Sequence, residues 1–71
     1  MTEVPIRTEY ITLSQFLKLS DCVSTGGEAK VWLQEKKIEV NGEPEARRGR
    51  KLYEGDQIEV EGSGLFRISR A

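Results

Sequence analysis

Apolar side chains recur along this chain with two different periods, and the change of period separates a helical first part from an extended second part. Leu13, Phe16 and Leu17 have the i, i+3, i+4 spacing of one helix face, and Ala29, Trp32 and Leu33 repeat it. Each stripe is preceded by a start signal. Thr12 and Gln15 have the spacing of a capping box, in which the hydroxyl and the longer side chain each take an orphan backbone N–H. Ile11 and Phe16 stand at the positions of a hydrophobic staple. These signals predict a first helix over Leu13–Ser20, with Gln15 and Lys18 in water and Leu19 at the edge of the buried stripe. Thr25 and Glu28 form the second box and open a helix running from Gly26 to about Lys36. In that helix the register of Trp32 with Ala29 and Leu33 turns the indole toward the core rather than toward a ligand.

From Ile38 the period becomes two. Ile38-Glu39-Val40 alternates as a strand does, and Asn41-Gly42 is a hairpin turn whose residues both accept positive φ. Pro44 limits the returning strand, and Glu45 to Arg50 reads as a polar, basic loop. Lys51-Leu52-Tyr53 is extended again and Glu54-Gly55-Asp56 turns. Gln57 to Glu61 alternates, Gly62-Ser63-Gly64 turns, and Leu65 to Ser69 closes as a last strand. The alternation places Ile38, Val40, Ile58, Val60, Phe66 and Ile68 on the face that covers the helices. Met1 to Thr8, polar and carrying Pro5, reads as a loose lead-in, and Glu9-Tyr10-Ile11 either adds a short strand or packs down. The chain thus divides into a lead-in over 1–11 and one domain over 12–71. The fold class is α+β, two short helices against a small twisted antiparallel sheet.

The 71 residues suffice for one small domain near the lower limit of what a single core stabilises. No apolar run approaches the roughly 18 residues that span a bilayer, and no basic stretch followed by an apolar one marks a secretion leader. With one cysteine, Cys22, and no histidine, neither an internal disulfide nor the usual zinc sets can form. A reduced, cytoplasmic setting and no cofactor are expected. Catalysis has little to work with, because no nucleophile stands beside a base and no phosphate loop is present. Glu59 and Glu61 share one strand face, but it is the solvent face. An enzyme is not expected.

Net charge is −1, yet Arg47, Arg48, Arg50 and Lys51 crowd together while Glu54, Asp56, Glu59 and Glu61 follow without a basic residue between them. Local basic clusters rather than totals set phosphate affinity. Two stretches therefore become candidate contacts. The first is the start of the second helix, where Thr25, Gly26 and Gly27 expose backbone N–H groups at the positive end of the helix dipole and Lys30 adds a charge. The second is the Arg47 to Lys51 run, which Lys18 and Lys30 can flank. For each an ordinary reading stays open: a glycine-softened helix start, and a solvated loop whose charges balance Glu43, Glu45 and Glu54. Tyr53 reads as core with partial exposure. Asn41-Gly42 and Gly55-Asp56 read as turn chemistry.

Four stretches in order resemble the S-four RNA-binding domain, also called the alpha-L fold: Thr12-Leu13-Ser14-Gln15-Phe16-Leu17-Lys18, Thr25-Gly26-Gly27-Glu28-Ala29, Ile38-Glu39-Val40-Asn41-Gly42 and Leu52-Tyr53-Glu54-Gly55-Asp56-Gln57-Ile58. They match the family's Arg-Leu-Asp-Lys-like opening, its Ser-Arg-x-x-Ala helix start, its Val-x-Val-Asn-Gly hairpin and its Val-x-x-Gly-Asp-x-Ile. The resemblance implies a module that grips structured RNA with its two-helix face and hairpin loop. It further implies a small stand-alone bacterial member acting in maturation of the large ribosomal subunit, with ribosomal RNA or that subunit as partner. Thr12 and Gly26 stand where the family often has arginine, and Lys36 where it often has glycine. The resemblance then shifts the footprint toward Lys18, Lys30 and the Arg47 to Lys51 run. A monomer with no membrane and no small-molecule substrate is expected. The alternative is a protein-interaction adaptor that binds no RNA directly.

Overall fold

The computed structural model describes Met1–Ala71. Its strands and helices are β1 (Thr2–Ile6), β2 (Tyr10–Thr12), α1 (Leu13–Leu19), α2 (Gly26–Glu35), β3 (Ile38–Val40), β4 (Glu43–Pro44), β5 (Lys51–Tyr53), β6 (Gln57–Val60) and β7 (Gly64–Arg70). Five strands form one sheet in the order β1-β7-β6-β3-β4, and β2 pairs with β5 in a separate antiparallel ribbon. The architecture is the expected α+β, with one amendment. β1 runs parallel to β7, Val4 opposite Ile68 and Ile6 opposite Arg70, so the sheet is mixed rather than antiparallel throughout.

That edge strand also corrects the expectation of a loose lead-in. Val4 and Ile6 alternate into the core at 5% and 3% exposure. Pro5 sits between them, and an edge strand tolerates proline because one of its two rows of backbone groups has no partner strand. The pairing partner lies at the other end of the chain. No local turn announces it.

The capping box of α1 is realised in full, and at α2 only its hydroxyl half is. Gln15 N–H donates to Thr12 Oγ1 at 3.2 Å and Thr12 N–H donates to Gln15 Oε1 at 2.8 Å. Leu13, Phe16 and Leu17 are fully buried, and the Phe16 ring meets Phe66 of β7 edge-on at 5.4 Å between centroids. On α2, Ala29 and Leu33 are buried, whereas Trp32 is only half-buried and packs against the rim of the core. Lys36 Nζ lies 4.9 Å over the indole and covers part of its outer side. The strand face anticipated from alternation, Ile38, Val40, Ile58, Val60, Phe66 and Ile68, is buried as a set, and the buried residues that make up the core are all apolar.

The turns hold one another. Asn41 and Gly42 have φ of 53° and 85°, which the hairpin turn requires. Asn41 Nδ2 also donates to Asp56 Oδ1 at 3.1 Å, and its Oδ1 accepts from Gln57 N–H at 2.9 Å. Asp56 Oδ2 accepts from Tyr53 N–H at 2.8 Å. The β3–β4 turn and the β5–β6 turn are therefore one hydrogen-bonded unit.

Candidate nucleic-acid interface

The basic loop is held by its backbone. Leu13 N–H donates to Arg50 O at 2.8 Å and Ser14 N–H to Arg48 O at 3.1 Å. With Thr12 Oγ1 taking Gln15 N–H, the first three orphan donors of α1 are satisfied, two of them by loop carbonyls. The loop thus caps the helix that follows β2, while the Arg47 and Arg48 side chains stay exposed. No sequence signal pointed to this docking, because the partners are more than thirty residues apart.

Charge within the loop is unevenly spent. Glu45, whose side chain is 8% exposed, accepts from Arg47 Nε at 3.0 Å and from Arg50 Nη1 at 2.8 Å. It also accepts from the N–H groups of Ala46 and Arg47. Hydrogen bonds from Arg47 and then Arg50 lower its carboxyl from 4.5 to about 2, and the same pairing raises the Arg47 guanidinium. Glu43 and Glu54 form no ion pair with the run. Arg48 and Lys51 form none at all, so the solvated-loop reading, with charges balanced by Glu43, Glu45 and Glu54, holds for Glu45 alone.

Arg47, Gly49, Arg50 and Lys51 line one open hollow together with Tyr53 and Asp56. Tyr10 and Tyr53 are directly opposite in the β2–β5 ribbon, with ring centroids 5.8 Å apart, and both rings face water. Lys51 Nζ sits 4.9 Å from the Tyr10 centroid. Sequence reading missed Tyr10 as a surface residue. The available signal was the alternation around Ile11 and Leu52, whose burial forces their neighbours outward.

The start of α2 is built somewhat differently from the expected box. Thr25 Oγ1 accepts from Glu28 N–H at 3.2 Å, but Glu28 Oε1 accepts from Ser24 N–H at 3.0 Å rather than from Thr25. Gly26 and Gly27 N–H have no partner within the chain, as expected for the first helical positions. Neither glycine is required by the fold: a Cβ at Gly26 meets open space, and one at Gly27 meets only Thr25 Oγ1 at 3.8 Å. Lys30 is exposed on α2, and Lys18 is exposed in the last turn of α1, about 7 Å along the axis from the loop-capped end. Neither lysine forms an ion pair with the loop.

Away from these groups the β3–β6 pair of strands carries the opposite sign. Glu39 and Glu59 are cross-strand neighbours on β3 and β6, beside Glu61, whose carboxylate accepts from Lys37 N–H. No three His, Cys, Asp or Glu side chains are grouped to hold a metal ion, and no helix is long and apolar enough to cross a membrane.

Comparison with known proteins bears on this surface. A family model described as an S4 domain matches residues 4–69. A Bacillus subtilis (strain 168) protein, "Probable ribosome maturation protein RlbA", is 55% identical over 65 residues, which cover 92% of either chain.

Proposed function

The chain belongs to the S4 domain family, and on that premise we propose that it is an RNA-binding module that grips structured ribosomal RNA by shape and phosphate contacts during maturation of the large ribosomal subunit. The observation that carries this reading is the Arg47 to Lys51 loop, anchored by its carbonyls to α1 while Arg47, Arg48 and Lys51 stay exposed and Arg50 is half-buried against Glu45. A fixed backbone removes much of the ordering entropy that a free basic loop loses on binding. Arg48 and Lys51 are free to take phosphates at once, and Arg47 and Arg50 are pre-oriented on Glu45. Thr25, Gly26, Gly27 and Lys30 supply a second phosphate contact at the start of α2, and Lys18 a third. The name of the Bacillus relative supports ribosome maturation as the setting. The work is binding, with no chemical step, in the cytoplasm and as a monomer.

The acidic cluster of Glu39 and Glu59 on β3 and β6, with Glu61 just after β6, favours one second reading, a protein-interaction adaptor. Binding of the purified protein to ribosomal RNA across a salt series separates the two. Each phosphate contact steepens the fall of log affinity with log salt by about 0.7–0.9. Replacing Arg48 and Lys51 by Ala is expected to make that fall shallower by about 1.5. A folded wild type that binds no RNA at low salt overturns the RNA-binding reading, and a nuclease-resistant protein complex would then establish the adaptor.

A further inference from the structure

We propose that the outer face of the β2–β5 ribbon is a stacking platform for one unpaired RNA base, with Tyr53 as the ring that carries it and Tyr10 as its support. This inference rests on the RNA-binding reading and assigns to it a second kind of contact, one that phosphate gripping does not need.

The ribbon has two faces. Ile11 and Leu52 point inward at 7% and 0% exposure, so the core is served without the tyrosines. Tyr10 and Tyr53 remain 39% and 43% exposed on the other face. They lie against each other at a 48° tilt, which fixes both rings in place while leaving aromatic surface open to solvent. Tyr53 shares its hollow with Arg47, Gly49, Arg50 and Lys51. A base laid on the ring therefore has its own phosphates beside cations. Gly49 contributes no side chain to that wall, and Lys51, now over Tyr10, is a flexible cation that can move to a phosphate. Asp56, the acidic member of the hollow, already accepts from Tyr53 N–H and Asn41 Nδ2. Those bonds hold the Tyr53 backbone rigid from behind.

The chemistry selects the occupant. Stacking on an aromatic ring requires a base that has left the helical stack, so the platform suits a bulge, loop or strand end and not a continuous duplex. The flanking positive charge suits a nucleotide over an uncharged aromatic ligand.

The test uses the full chain, with ribosomal RNA and with heparin as a polyanion that has no bases. Tyr53→Leu keeps the apolar bulk and removes the ring; Tyr53→Phe keeps the ring. At fixed salt, Tyr53→Leu is expected to weaken RNA binding about 5- to 100-fold. Its salt slope and heparin affinity stay at wild-type values, and Tyr53→Phe binds RNA as the wild type does. Circular dichroism and thermal melting establish that both variants fold. An RNA affinity for Tyr53→Leu within about twofold of wild type overturns the platform alone. So does an equal loss for RNA and heparin, because the ring then acts by shaping the basic loop. Absence of RNA binding by the wild type overturns the RNA-binding reading itself, and this inference with it.

Discussion

At the scale of single residues, Glu45 decides how the basic loop behaves. Its carboxylate gathers Arg47, Arg50 and two backbone N–H groups, and its folded pKa falls from 4.5 to about 2. A group whose pKa is depressed by folding contributes stability that is present above its unfolded value and is lost as pH falls through the folded one. The loop is therefore expected to stay ordered at neutral pH and to loosen from about pH 4.5 down toward pH 2. Following the amides of Ala46 and Arg47 by NMR through an acid titration checks this. Transitions centred near the ordinary carboxylate value, rather than near 2, would show that the Arg47 and Arg50 bonds do not persist in solution. Asn41 is the other decisive residue, because it combines a left-handed backbone with two side-chain hydrogen bonds to the neighbouring turn. Asn41→Ala is expected to cost about 1–3 kcal/mol in denaturant unfolding, from strain at positive φ and from the lost bonds. Asn41→Gly removes the strain and keeps the loss of bonds, so it should fall between Ala and wild type. Equal stability of the two variants would mean that the bonds alone matter.

At the scale of elements, two features of the candidate interface come from pairings between pieces of chain distant in sequence. The start of α1 is closed by carbonyls of Arg48 and Arg50, which makes the helix a mount for the basic loop rather than an anion site of its own. The β2–β5 ribbon brings Tyr10 beside Tyr53 and sets Lys51 on their shared face. The start of α2 keeps its first two N–H groups free, although Glu28 brings a negative charge into the same turn. Capping itself was readable in advance because it is written over three residues, in full for Thr12 with Gln15 and for the hydroxyl half of Thr25 with Glu28, whose carboxylate reaches Ser24 instead. The loop cap and the tyrosine pair were not, since their partners are more than thirty residues apart and no local spacing connects them.

At the scale of the whole molecule, β1 joins the two ends of the chain. Its residues pair with β7 from Thr2 opposite Phe66 to Ile6 opposite Arg70, and Ala71 N–H donates to Ile6 O at 2.9 Å. Arg67 adds an ion pair to Glu3 at 2.8 Å across the same pair of strands. In a domain this small, total stability is on the order of 4–10 kcal/mol. Ile6→Ala, which removes a side chain 3% exposed, is expected to cost about 2–5 kcal/mol, a large share of that total. Chemical unfolding would measure it, and a cost below about 1 kcal/mol would mean that β1 frays from the sheet in solution. The overall charge of −1 says little about the partner, because the basic loop and the acidic β3–β6 face are carried on different elements.

What the sequence determined by itself was everything that depends on short-range periodicity: the two helices, the Asn41-Gly42 hairpin, the alternating face from Ile38 to Ile68 and the existence of a basic run. These follow from spacing of a few residues, within which a chain can express a helix face, a cap or a turn. Tertiary structure alone decided that Val4 and Ile6 belong to the core, that the sheet is mixed, that the carbonyls of Arg48 and Arg50 close the start of α1, and that Tyr10 meets Tyr53. Each of these is a pairing or a surface that exists only once the chain has closed on itself. β1 shows the reason most plainly: a five-residue segment with a proline carries too little local signal to be a strand, and becomes one because β7 offers it an edge.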